Sequence, residues 1–157
     1  HDIRMTSTDG NFEIYIVSEE ERRDLGPTIT KSLPHLTLSD LRGITNMSRS
    51  TYCLVYALSE GSSFIYSRAF AVIRAEHPDL MRQSCFHEEI AQGLGLANDS
   101  PKARPSIFND DEEFALLTIQ DEQMLKMLYD PRLSIGMTAK EAAPIITLLA
   151  YELMPPL

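Results

Sequence analysis

The spacing of hydrophobic positions changes along the chain, and each change predicts an element. From Asn11 to Val17, NFEIYIV, the residues Phe12, Ile14 and Ile16 alternate with Glu13, Tyr15 and Val17. A period of two predicts a strand. Ser18-Glu19-Glu20-Glu21 follows. A Ser three residues ahead of a Glu lets each satisfy the other's free backbone donor at a helix start. The helix is expected to run toward Leu33, bent at Gly26-Pro27 and stopped by Pro34. Residues 35–50 are polar and mixed, which reads as a loop with one turn at Ser39 to Arg42.

Tyr52 to Leu58, YCLVYAL, and Phe64 to Ala75, FIYSRAFAVIRA, are apolar and rich in aromatic and β-branched residues. They predict two strands, with Glu60-Gly61-Ser62-Ser63 as the turn between them. His77-Pro78-Asp79 opens a helix. Proline is tolerated in a first turn, and the acid favours the positive end of the helix dipole. Gly95 is the expected end, since glycine takes the left-handed conformation that closes a helix. A polar loop leads to Thr118-Ile119-Gln120-Asp121, the cap of a short helix with Leu117, Met124, Leu125 and Leu128 as its apolar stripe; Asp130-Pro131 ends it. Thr138-Ala139-Lys140-Glu141 is another capping box and opens a C-terminal helix to about Met154. The order predicts an α+β domain in one piece: a mixed sheet of about three to four strands on a long central helix, with a helical C-terminal part.

Composition agrees with that picture and narrows the function. The chain has 157 residues, 43% hydrophobic and 24% charged, enough for a single domain with a core. Its net charge of -9 and pI near 4.8 exclude a nucleic-acid or anionic-membrane surface, which would need clustered Lys and Arg. No apolar run is long enough to predict a membrane-spanning helix. The chain begins at His1 rather than Met, so the natural N-terminus is expected to lie upstream.

Candidate chemistry concentrates in Cys85 to Ser100, CFHEEIAQGLGLANDS. Read from His87, the helix begins like H-E-x-x-H, the pair of histidines one turn apart that grips zinc, but Ala91 offers no ligand atom. Read from Glu88, the run Glu88-Glu89-Ile90-Ala91-Gln92-Gly93-Leu94-Gly95-Leu96-Ala97-Asn98-Asp99 resembles H-E-x-x-H-x-L-G-L-x-H with every histidine replaced. That pattern is similar to the metzincins, zinc peptidases of the zincin fold. The resemblance places Glu88, Gln92 and Asn98 at the three zinc-ligand positions, Glu89 at the general-base position and Gly95 at the turn. It continues at Pro105-Ser106-Ile107-Phe108, where Ser106 and Phe108 stand in the Ser-x-Met turn beneath the metal, and at LTIQDEQMLKMLYD, which resembles the C-terminal helix of those enzymes. The strand, helix, strand, strand order also fits their upper half. The resemblance implies a single metzincin-like domain over residues 1–157, its upper half about 11–95 and its lower helical part about 96–157. The signature C-x-x-E-E-x-x-Q-x-L-G-L-x-N-D-S also resembles an uncharacterised bacterial family of domain-of-unknown-function type, largely from envelope or exported proteins.

Residues three and four apart share a helix face, so Cys85, Glu88, Glu89 and Gln92 are expected to project to one side, with Asn98 returning after the Gly95 turn. Neutral amides are poor zinc ligands. A catalytic zinc lowers the pKa of its water from about 15.7 to about 7, worth roughly 12 kcal/mol, which Glu89 alone cannot supply. No zinc is therefore expected. Two alternatives stay open: a hard cation, Ca²⁺ or Mg²⁺, on the oxygens of Glu88, Gln92, Asn98 and Asp99, or a brace in which buried amides and carboxylates bond one another and the loop. The brace is the expectation. Pairing of Glu88 or Glu89 with Arg82 or Arg104, or a shared proton, is also left open.

Two cysteines, Cys53 and Cys85, complete the set. As a nucleophile Cys85 would need a base, and His87, two residues on, faces elsewhere on a helix. A Cys53–Cys85 disulfide is expected instead, tying the motif helix to a strand and indicating an oxidising compartment, periplasmic or exported. The preferred function is a non-catalytic binding or structural module of the bacterial envelope, with an unknown protein or peptide as partner. The alternative is a peptidase-like hydrolase using Glu89 with a non-zinc metal or none.

Overall fold

A computed structural model describes residues 3–33, 36–59, 61, 65–109 and 113–154. The elements in order are β1 (Phe12–Val17), α1 (Glu19–Arg23), α2 (Gly26–Ser32), α3 (Leu38–Thr45), β2 (Cys53–Ser59), β3 (Tyr66–Arg74), α4 (Asp79–Gly93), α5 (Ile119–Leu128) and α6 (Ala139–Leu153). The fold class is α+β. The sheet has the order β1-β3-β2, with β1 parallel and β2 antiparallel to β3. A parallel neighbour requires a crossover, and α1–α3 supply it.

Three capping boxes stand where the sequence places them: Ser18 with Glu21, Thr118 with Asp121 and Thr138 with Glu141. Two expectations are corrected. The single helix from Ser18 toward Leu33 is two helices, broken at Asp24-Leu25. Asp24 and Leu25 donate to carbonyls only three residues back, at 3.1 and 3.2 Å, which tightens and ends α1. Pro27 then falls in the first turn of α2, where its missing N–H costs nothing. The expected loop over residues 35–50 contains α3, opened by a fourth capping box, Thr37 with Asp40. The predicted stop at Pro34, the start of the third strand at Phe64, and most of the turn at Glu60-Gly61-Ser62-Ser63 lie outside the described residues.

One sheet face carries the larger core. Leu25, Ile29, Leu33 and Ile44 from the crossover pack on Phe70 and Val72 of β3, with Tyr15, Val17, Leu54 and Tyr56 at the margin. Two arginines are buried in this layer. Arg22 donates to the Ile44 carbonyl and pairs with Glu19 at 2.9 Å. Arg74 reaches the carbonyls of Thr51 and Ser48 and pairs with Glu19 at 2.6 Å. Shared among three guanidinium groups, those of Arg22, Arg74 and the exposed Arg23, the Glu19 carboxyl is held down at about 2.

The opposite face carries α4, packed on β2 and β3. Gly93 permits the close approach of β1: a Cβ there would lie 2.5 Å from the Phe12 ring. Beneath α4 a second cluster joins Ala91, Ile107 and Phe108 to Leu96, Leu117, Met124 and Leu125, and so connects the helix to α5.

Candidate functional site

The site begins with a covalent tie. Cys53 of β2 and Cys85 of α4 form a disulfide, with Cα atoms 5.8 Å apart. This removes Cys85 as a nucleophile and fixes the first turns of α4 against the sheet. One turn further on, Glu88 is half-buried and Glu89 is 5% exposed. One carboxyl oxygen from each lies within 4.8 Å of the other and of the Cys53 sulfur. Burial, then the neighbouring charges of Glu88 and Asp99, push the Glu89 carboxyl up to about 8. Glu89 is therefore mostly protonated at neutral pH.

Gly95 closes α4. Its φ of 125° lies where side chains are rarely tolerated. Leu96 N–H donates to the Ala91 carbonyl at 3.1 Å and Gly95 N–H to the Gln92 carbonyl at 2.9 Å, the paired bonds of a Schellman end. The free carbonyl of Leu94 accepts from the Tyr129 hydroxyl at 2.9 Å, and Leu128 packs where a Cβ on Gly95 would stand. The end of α5 thus holds the turn of α4.

Past the turn, Asn98 is exposed and does not rejoin the helix. Asp99 does: Gln92 Nε2 donates to Asp99 Oδ1 at 3.5 Å, a long bond on the surface. The expected buried brace of Gln92 and Asn98 is corrected accordingly. Gln92 is half-buried, and the residue returning to the helix is one position later than the motif places it. The pairing left open also resolves elsewhere. Arg82 binds Asp79 at 2.5 Å and the carbonyls of Ala75 and His77; Arg104 binds Glu113 at 2.6 Å.

The loop below is fixed by another group. Asp121 is fully buried, and its carboxyl oxygens accept from Ser106 Oγ at 2.5 Å, Ile107 N–H at 3.0 Å and Thr118 N–H at 2.8 Å. Ser106 Oγ accepts in turn from Phe108 N–H at 3.0 Å. This places Phe108, 3% exposed, against Ala91 on the underside of α4. Sequence reading assigns Asp121 only a capping role. Its role as loop acceptor depends on a contact 15 residues away in the chain. His87, which the sequence leaves without a second histidine one turn on, is half-buried, and its Nδ1 accepts from Leu117 N–H at 3.1 Å.

The family model for DUF2927, a protein of unknown function, matches residues 1–148. The chain belongs to this family. No curated protein and no solved structure matches it.

The site of this DUF2927 domain presents no imidazole pair to a metal among the described residues. The convergent groups are two carboxyls, a surface amide and a sulfur already committed to a disulfide, whereas a zinc site needs imidazole, thiolate or ionised carboxylate in a tetrahedral set. Among the described residues, no helix is long and apolar enough to cross a membrane.

Proposed function

We propose that this DUF2927 domain is a non-catalytic binding or structural module with a metzincin-like architecture, working in an oxidising compartment of the bacterial envelope. The observation that carries the reading is the protonated, buried Glu89 at the position of a general base, beside replaced ligand positions. A general base must be ionised to take a proton from water. A carboxyl held near 8 by its surroundings is mostly protonated at neutral pH and is a poor base there, and the groups gathered beside it, Glu88, Gln92 and Asp99, bring no positive charge in place of a metal.

Four features support the metzincin-like ancestry. The central strand β3 leads into α4. The helix ends at a glycine turn. Phe108 packs beneath it. Tyr129 from the following helix caps the turn. In this reading the work of a metal in holding helix, turn and loop together is done by the disulfide, the Schellman end, the Tyr129 and His87 hydrogen bonds and the buried Asp121. The disulfide supports an oxidising location.

A hydrolase reading has one observation in its favour. A buried carboxyl that loses its proton near pH 8 beside two further carboxyl groups is the pattern of a general acid. The two readings separate in one assay. Fluorescein-labelled casein and a mixed peptide panel are incubated with the protein, with and without added Zn²⁺, Ca²⁺ and Mg²⁺. The module reading expects the same cleavage from wild type and Glu89→Gln, at the level of buffer. Turnover by wild type that Glu89→Gln abolishes would establish the hydrolase.

A further inference from the structure

The outer edge of the sheet has the chemistry of a binding site, independently of the motif helix. In the parallel ladder, Ala69 N–H donates to the Asn11 carbonyl and Ala75 N–H to the Val17 carbonyl, both at 2.9 Å. The register pairs Phe12 with Ala69, Ile14 with Ala71 and Ile16 with Ile73. Alternation along the strand therefore turns the backbone groups of Glu13 and Tyr15 inward to β3 and those of Phe12, Ile14 and Ile16 outward. Among the described residues, nothing bonds these outward groups. Protected edges carry Lys, Pro or a bulge. β1, FEIYIV, has no Lys or Pro, and it exposes Ile14 (39%) and Ile16 (49%) beside its open rungs.

The Phe12–Tyr15 part of the edge borders a groove of about 640 Å³ that is also lined by residues 6–10, by Arg68 of β3 and, on α2, by Thr28, Lys31 and Ser32. A slender extended chain can lie along an edge lined in this way, whereas a second folded copy would have to bring its own residues 6–10 and α2 to the same place. Within it, Glu13 is engaged by the Tyr15 hydroxyl at 2.5 Å and by Arg68 at 3.5 Å. Asp9 stands at the entrance to β1. Lys31 is exposed, with no carboxylate in ion-pair distance among the described residues.

We propose that the β1 edge binds an extended peptide segment of a partner protein by strand addition. The peptide hydrogen-bonds the outward groups of Phe12, Ile14 and Ile16. It places apolar residues against Ile14 and Ile16 and an acidic residue toward Lys31. Backbone bonds supply a sequence-tolerant part of the affinity, and alternate side chains supply specificity. Aromatic residues at the apolar positions would pair across strands with the β-branched Ile14 and Ile16, a favoured combination.

The test is selection from a display library of random eight-residue peptides against the whole domain, followed by fluorescence anisotropy of the enriched peptides carrying fluorescein. The expected result is peptides that alternate apolar and polar positions with an acid at a fixed place. Ile14→Pro removes an outward N–H together with the Ile14 side chain, takes no donor from the β3 ladder, and should weaken binding about tenfold. Lys31→Glu, on an exposed helix position, should weaken binding about fivefold and serves if the proline variant fails to fold. Methylation of alternate peptide amides should abolish binding, and Glu89→Gln should leave it unchanged. The proposal is overturned by no enrichment over an unrelated control protein, or by enriched peptides that bind Lys31→Glu and Ile14→Pro as tightly as wild type. A dimer that Ile14→Pro dissociates would overturn it in favour of a second copy.

Discussion

Gln92 Nε2 and Asp99 Oδ1 face each other at 3.5 Å, so the chain that turns at Gly95 comes back to α4 at Asp99 and leaves Asn98 in solvent. The return adds a negative charge near Glu89 rather than a neutral amide. Together with Glu88 and burial, that charge keeps the Glu89 proton in place at neutral pH.

The first prediction follows from this proton. Folded, Glu89 titrates at about 8; its ordinary value is 4.5. Its contribution is fully present below the unfolded value and is lost as pH rises through the folded one, because the unfolded chain gives up the proton first. Between those limits, stability should fall by about 1.4 kcal/mol per pH unit on account of this residue. Glu89→Gln should flatten that slope, as read by urea unfolding from pH 5 to 9. A wild-type slope unchanged in Glu89→Gln would show that Glu89 is ionised in the fold.

Reduction supplies a second prediction. The Cys53–Cys85 bridge spans 32 residues, a loop whose closure is worth roughly 3–4 kcal/mol in the chain-entropy model. Denatured, unreduced protein should show no free thiol, and the Cys53→Ser, Cys85→Ser double variant should lose stability by about that amount. Two titratable thiols would remove the argument for an oxidising compartment.

Asp121 should prove more important to folding than the motif residues above it. Asp121→Ala leaves the Ser106 hydroxyl and the N–H groups of Ile107 and Thr118 without their buried acceptor. The expected loss is about 3 kcal/mol or more by chemical denaturation. Asn98→Ala, at an exposed position, should change stability by less than about 0.5 kcal/mol. Equal effects would mean that the loop is not held from below.

Much of the fold is written in local signals. The strand at Phe12–Val17 and the helix starts at Ser18, Thr118 and Thr138 follow from alternation and capping pairs a few residues apart. α3 escapes that reading because only Leu38, Leu41 and Ile44 are strongly apolar in its eight residues, although Thr37 and Asp40 spell its cap. At the site, the disulfide and the Gly95 turn are legible, since one rests on a pair of cysteines and the other on one backbone conformation. The choice of Asp99 over Asn98 is not. A motif aligned by counting residues carries no information on the extended backbone that follows the turn. The His87–Leu117 and Ser106–Asp121 bonds join residues 30 and 15 apart, and no local pattern encodes them.

Gly95 gives a prediction about the turn itself. At φ 125°, with Leu128 3.0 Å from the place of a Cβ, Gly95→Ala should cost about 1–3 kcal/mol. Near-ultraviolet circular dichroism should report a disturbed Tyr129, whose hydroxyl bonds the adjacent Leu94 carbonyl. An unaffected melting midpoint would show that the turn tolerates a side chain.

The central claim is that the motif helix carries no catalytic metal. Its most direct test is elemental analysis of protein purified without chelator and then equilibrated with Zn²⁺ and desalted. With Glu88, Gln92 and Asn98 where the metzincin resemblance would put zinc ligands, and Cys53 bonded to Cys85, the zinc content should not exceed that of a Glu88→Ala, Asp99→Ala control. About one zinc per chain, lost in that control, would contradict the account.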